Sequence, residues 1–171
     1  MDCKDSKPKP KYIIGIDPGW SSCGIAVVEK DKTIFTNSYI PKKSSDICEA
    51  VAIGIANLPI VISIAEEVEV VIERFVAYKG VHSESSEQIL MFIGALVFSF
   101  QERNIKVHLV RAIDWKPKIC KYLVRTTDFS NPYPSFDKKY SLLAAEKLSG
   151  IKLKSDHEAD AICLAYLGTL L

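Results

Sequence analysis

Tyr12-Ile13-Ile14-Gly15-Ile16-Asp17-Pro18-Gly19 is the stretch that decides the fold. Its first five residues are apolar and mostly β-branched, as in a buried strand. Asp-Pro-Gly then closes it with a turn. Working outward, residues 24–29 predict a second strand and 33–40 a third, with looser alternation. The charged turn Lys30-Asp31-Lys32 joins them. Connections this short link antiparallel neighbours, so the three strands predict a meander.

Beyond residue 40 the period changes. Ser44-Ser45-Asp46 is a helix-start signal, and an apolar stripe at helical spacing runs over 47–65, with Pro59 expected to kink or break it. A fourth strand is expected at 69–72, ending at Glu73. A long helix follows over 83–103, then a fifth strand at 106–110. Helices are expected at 112–121, 138–148 and 156–170. The order β-β-β-α-β-α-β-α-α-α predicts an α/β fold. Its mixed five-stranded sheet has three antiparallel strands, then parallel strands, and is flanked by helices. Residues 126–136, rich in Pro, Ser and aromatics, form the one long loop.

Bulk properties exclude several classes. The 171 residues suit one domain over 12–171, preceded by a flexible basic extension over 1–11. Hydrophobic residues make up 48% and charged residues 25%, an ordinary globular balance. A net charge of +1 means that any nucleic-acid surface must arise from local clustering. The five cysteines (Cys3, Cys23, Cys48, Cys120, Cys163) have no CxxC spacing, which predicts free, buried thiols in a reducing compartment. No apolar run reaches the ~20 residues of a membrane span, and the N-terminus lacks a signal sequence's apolar stretch. The expectation is a cytoplasmic protein, of a cell or of a virus inside one.

Chemistry collects at three places. Asp17 ends a strand that should be central, where a carboxylate is costly unless paired or bound to a cation. Glu73 repeats the pattern after Val70-Val71-Ile72. Alone, each also reads as an ordinary turn or strand-end acid. Side by side, two such carboxylates raise each other's pKa unless a cation lies between them, and hard oxygen ligands suit Mg²⁺ or Mn²⁺. The third place is Asp156-His157-Glu158-Ala159-Asp160, at the start of an apolar helix. His157 and Asp160 are three apart and share a face. Asp156 either joins them or caps the helix. Glu158 points away, toward solvent. Acid enrichment at a helix N-terminus is the plain alternative.

These segments together resemble one family. Ile14-Gly15-Ile16-Asp17-Pro18-Gly19 with Gly24 resembles the opening motif of RuvC-type Holliday-junction resolvases, of the RNase H-like superfamily. Val71-Ile72-Glu73 is similar to that family's second acidic strand, and His157-Glu158-Ala159-Asp160-Ala161 to its C-terminal motif. The third position is His157 where the commonest bacterial pattern has Asp. The resemblance implies an RNase H-like fold and a catalytic and metal-binding set of Asp17, Glu73, His157 and Asp160, with Asp156 as a rival ligand. It also implies two Mg²⁺ or Mn²⁺ ions, with Asp17 bridging them. The implied activity is a homodimeric endonuclease making paired nicks in four-way or other branched DNA.

Between Arg103 and Arg125, seven Lys or Arg face one acid, Asp114, a local balance of +6. Arg111, Lys116, Lys118, Lys121 and Arg125 are therefore candidate DNA contacts. Phe75 and Tyr78 follow Glu73 and read either as aromatics that enter a junction or as core anchors. Tyr133 and Phe136 are weaker candidates. The apolar helix segment at 89–100 needs cover from the sheet, a second copy, or both. Three other functions compete. An actin-like ATPase would share the Asp-Pro-Gly turn but needs a second domain. The others are an RNA-processing nuclease of the same superfamily and a non-catalytic junction binder, which would have no reason to keep mutually repelling carboxylates together.

Overall fold

The computed structural model describes residues 10–44, 46–56, 67–76, 84–123, 138–153 and 155–171, without the side chains of 120–123. Most of the N-terminal extension, Pro59, Tyr78, Arg125, the long loop with Tyr133 and Phe136, and the side chain of Lys121 lie outside this set.

Strands β1 (Tyr12–Asp17), β2 (Cys23–Glu29) and β3 (Lys32–Tyr39) form the antiparallel meander. Strands β4 (Val68–Glu73) and β5 (Lys106–Val110) add to β1 in parallel, giving the order β3-β2-β1-β4-β5. The expected mixed sheet is therefore the observed one. Lys30 and Asp31 turn β2 into β3 with φ of 47° and 63°. A two-residue hairpin of type I′ has positive φ at both central positions, which matches the strand twist. The looser alternation in β3 has a cause: the pairing shifts by one residue between Val27 and Val28, a bulge.

Side chains alternate across the sheet, so each strand feeds two cores. Ile14, Ile16, Ile25, Val27, Val70 and Ile72 face helices α1 (Ile47–Ala56) and α2 (Glu84–Gln101), meeting Val51, Phe92, Leu96 and Phe100. Ile13, Ala26, Val28 and Val71 face α3 (Ala112–Leu123), α4 (Lys138–Ser149) and α5 (Asp156–Gly168). Asp46 caps α1 by accepting from the Glu49 amide at 2.7 Å. A short 3-10 turn, Pro41–Lys43, precedes it. The helical stripe expected over 47–65 is described only as far as Ala56.

Helix α5 is buried nearly all round, from Ala159 to Gly168 with only Asp160 less than buried among them. It crosses β1 and β2 at two glycines. A Cβ on Gly15 would lie 2.0 Å from the Ala161 carbonyl oxygen, and one on Gly24 2.0 Å from that of His157. Only hydrogen at these positions lets the helix backbone reach the sheet. Among the described residues, no helix is long and apolar enough to cross a membrane. Cys23 and Cys163 are buried, as expected, whereas Cys48 is exposed.

Candidate metal centre

Asp17 is the last residue of β1 and Glu73 the last of β4. The two strands are parallel, with Ile16 opposite Ile72, so one further step places both carboxylates at the same end and on the same face. That face is the one α5 covers. The close approach at Gly15 and Gly24 brings the N-terminal half of α5 to this edge, and with it Asp160. One carboxylate oxygen from each of Asp17, Glu73 and Asp160 lies within 4.8 Å of the others.

His157 and Asp156, one turn earlier, part ways. The His157 Nδ1 lies 2.6 Å from Asp17 Oδ2, so the ring is tied to the cluster through Asp17 and is not a member of the three-carboxylate group. Asp156 turns out to pair with the exposed ammonium of Lys138, at the start of α4. It is not the helix cap either: the Ser155 hydroxyl accepts from the Glu158 amide at 3.1 Å. Glu158, expected in solvent, is half-buried and accepts from the Ser38 hydroxyl at 3.3 Å.

Two residues of α3 complete the site. The Lys116 ammonium donates to Asp160 Oδ2 at 2.8 Å, with side chains only 18% and 14% exposed. The Trp115 indole N–H donates to Glu73 Oε2 at 2.8 Å. Lys116 was expected as a surface phosphate contact; its placement makes it a cation inside the carboxylate cluster. Trp115 carried no signal in the sequence beyond the rule that a buried indole N–H seeks an acceptor.

The electrostatics follow from burial. Desolvation raises the Asp17 carboxyl above its ordinary range, with the Asp160 charge adding to it and the His157 contact opposing it. Glu73 is pushed up to about 7 by burial first and by the Asp17 charge next; Lys116 and the Trp115 hydrogen bond pull the other way. His157 is raised because protonation lets it bond Asp17, against the cost of burial. Burial lowers the Lys116 pKa, but Asp160, Glu73 and Asp17 outweigh it and the net shift is upward.

The cluster has the donor set for a divalent cation. It offers three hard oxygen ligands, two of them carboxyls made reluctant to ionise. Asp160 Oδ1 is buried and has no hydrogen-bond partner among the described residues, an acceptor open to a ligand.

The family model described as Crossover junction endodeoxyribonuclease RuvC matches residues 13–121. The chain belongs to the RuvC family. That match takes in Asp17, Glu73, Trp115 and Lys116, and stops before α5. Among solved structures, Thermus thermophilus RuvC in complex with Holliday junction substrate aligns with a TM-score of 0.64 at 19% identity, over 92% of this chain and 90% of that one. Another T. thermophilus RuvC structure aligns with a TM-score of 0.64 at 18% identity, over 92% of each chain. The yeast mitochondrial Holliday junction resolvase Ydc2 aligns with a TM-score of 0.56 at 12% identity, over 96% of this chain and 82% of that one. These likenesses give the RuvC fold. No curated protein sequence matches significantly.

The other expected DNA contacts are less uniform than the +6 segment suggested. Arg111 is held by Asp114 through two bonds of 2.6 and 2.9 Å. Lys106 and His108 both engage Glu69. Lys118 is exposed. Phe75 is half-buried against the α1/α2 core, which favours the anchor reading.

Proposed function

We propose that this RuvC-family chain is an endodeoxyribonuclease that resolves four-way or related branched DNA by paired, symmetric nicks. The observation that carries it is the convergence of Asp17, Glu73 and Asp160, from β1, β4 and α5, within 4.8 Å. Its family, and likeness in fold to a RuvC that binds a Holliday junction, support the substrate.

In this reading Asp17, Glu73 and Asp160 would hold the divalent cations, Mg²⁺ or Mn²⁺. Bound there, such ions acidify the attacking water and stabilise the leaving 3′ oxygen. The chain's residues do the rest. His157 holds a proton at Nδ1 toward Asp17 Oδ2, keeping that carboxylate oriented. Lys116 offsets the negative charge of the cluster and stands ready to meet a phosphate. Asp156 and Lys138 pair at the rim of the site. Exposed Lys118 and Arg111 extend the cationic surface along the backbone of the DNA.

A second copy is proposed on the outer face of α2. Its inner face is used by the sheet, yet Leu90, Met91 and Phe98 are 48%, 61% and 64% exposed. Two sites related by a twofold axis are what paired nicks require.

The test is a substrate panel with Mg²⁺ or Mn²⁺: labelled four-way junction, splayed duplex, linear duplex and RNA–DNA hybrid. Symmetric cutting of the junction is expected. Cutting confined to RNA-containing substrate would replace the proposal with an RNA-processing nuclease. Junction binding without cutting, under both metals, would leave only a binder.

A further inference from the structure

Trp115 is wholly buried, 0% exposed, packed among Ile119, Tyr140, Ala144 and the α5 core. A buried indole has one polar atom to satisfy, and here that atom is spent on Glu73 Oε2 at 2.8 Å. The carboxylate at the end of a glutamate rotates in a broad, shallow torsional well. Trp115 has no such freedom, because its ring is locked by core packing. The hydrogen bond therefore passes the rigidity of the core to the most mobile of the three carboxylates. It fixes one oxygen and leaves the rest of the carboxylate's acceptor capacity free. The next residue of α3, Lys116, does the same for Asp160 Oδ2 and lies 5.2 Å over the Trp115 ring. The two donors differ in kind. Lys116 brings a charge that competes with a cation, whereas the neutral indole N–H aims Glu73 without competing.

We infer that Trp115 is a positioning residue for Glu73, holding that carboxylate in the orientation that receives a divalent cation. The inference rests on the reading of Glu73 as a metal-holding carboxylate. Partners of this kind behind a ligand are typically worth about 10- to 100-fold in metal affinity or activity.

The test replaces Trp115 site-specifically with benzothienylalanine, which keeps the ring shape but puts sulfur in place of the N–H. Trp115→Phe serves as the simpler companion. Mn²⁺ binding is measured by electron paramagnetic resonance of the free ion, alongside single-turnover junction cutting as a function of Mn²⁺. Mn²⁺ affinity is expected to weaken about 10-fold or more. The half-saturating Mn²⁺ for cutting rises in parallel, while junction affinity in Ca²⁺ stays unchanged. Unaltered Mn²⁺ affinity in the benzothienylalanine protein would overturn the inference. Glu73→Gln separates the two failures: if it too leaves Mn²⁺ affinity unaltered, the metal role of Glu73 falls, and with it the premise. Should the position-115 variants not fold, the wild-type protein still decides. Its Trp115 indole N–H resonance must shift on addition of Mg²⁺, and a resonance that does not respond overturns the inference.

Discussion

At the residue scale, the site is a set of charges held at a cost. Glu73 has its pKa raised to about 7 from an ordinary carboxylate value of 4.5. Between these values the folded protein keeps a proton that the unfolded chain has released. Stability without metal therefore falls as pH rises through that window, and the cost is complete above it. His157 acts in the same direction. Its raised pKa adds stability below the unfolded value of 6.5, and this is lost as pH climbs through the folded value. Metal-free thermal melts are accordingly expected to decline from pH 5 to pH 8. Glu73→Gln should flatten that decline and melt above the wild type at pH 8, while losing most of the stabilisation that Mn²⁺ confers on the wild type. A Gln variant that melts below the wild type at pH 8 would contradict this account of Glu73. The Asp17 and Glu73 pair was legible in the sequence because each ends an apolar strand. Their donors were not. Trp115 is 42 residues from Glu73 and Lys116 is 44 from Asp160, and no local pattern encodes such pairs. The cap of α5 is Ser155, while the Asp156 carboxylate pairs with Lys138, 18 residues away in sequence.

At the element scale, the site depends on how closely α5 lies on the sheet. In the sequence Gly15 and Gly24 stand only as members of the motif that resembles the RuvC opening segment, with no sign of what lies against them. In the fold they are the two points of backbone contact with α5. Gly15→Ala places a methyl against the Ala161 carbonyl and the Ala165 amide, both backbone atoms that cannot rotate away. The expected loss is about 1–3 kcal/mol of stability, typical of overpacking. A displaced Asp160 should weaken Mn²⁺ binding at the same time. Urea denaturation and Mn²⁺ titration check the two effects separately. Loss of stability with intact Mn²⁺ binding would mean that the helix shifts without moving the site. Ser155→Ala removes only the cap and is expected to cost about 1 kcal/mol, with Mn²⁺ affinity retained. Strand and helix types were readable because short apolar, β-branched runs closed by turn residues differ from stripes at the 3.6 period. Helix α5 was the exception in detail: buried on every side, it has no polar face to mark which residues meet the sheet.

At the scale of the whole molecule, the mixed sheet separates two tasks. The α3–α4–α5 side carries the carboxylates, and the α1–α2 side carries the exposed apolar face. That division was visible in the sequence as an over-apolar helix, although its sheet-facing and outer sides were not distinguishable there. The proposed dimer predicts that Phe98→Glu with Met91→Glu gives a monomer by sedimentation, leaves Mn²⁺ affinity unchanged, and yields single, uncoordinated nicks where the wild type makes paired ones. A dimer that survives both charges would move the interface elsewhere. The account as a whole stands on Asp17, which neighbours His157 directly and belongs to the three-carboxylate cluster. Its most direct test is single-turnover cutting of a labelled four-way junction in Mg²⁺ by wild type and Asp17→Asn, with junction binding measured in parallel in Ca²⁺. The predicted result is symmetric nicking by the wild type and a loss of about 10³-fold or more in the variant, with binding intact. Cutting by Asp17→Asn at a rate near the wild type's would contradict it.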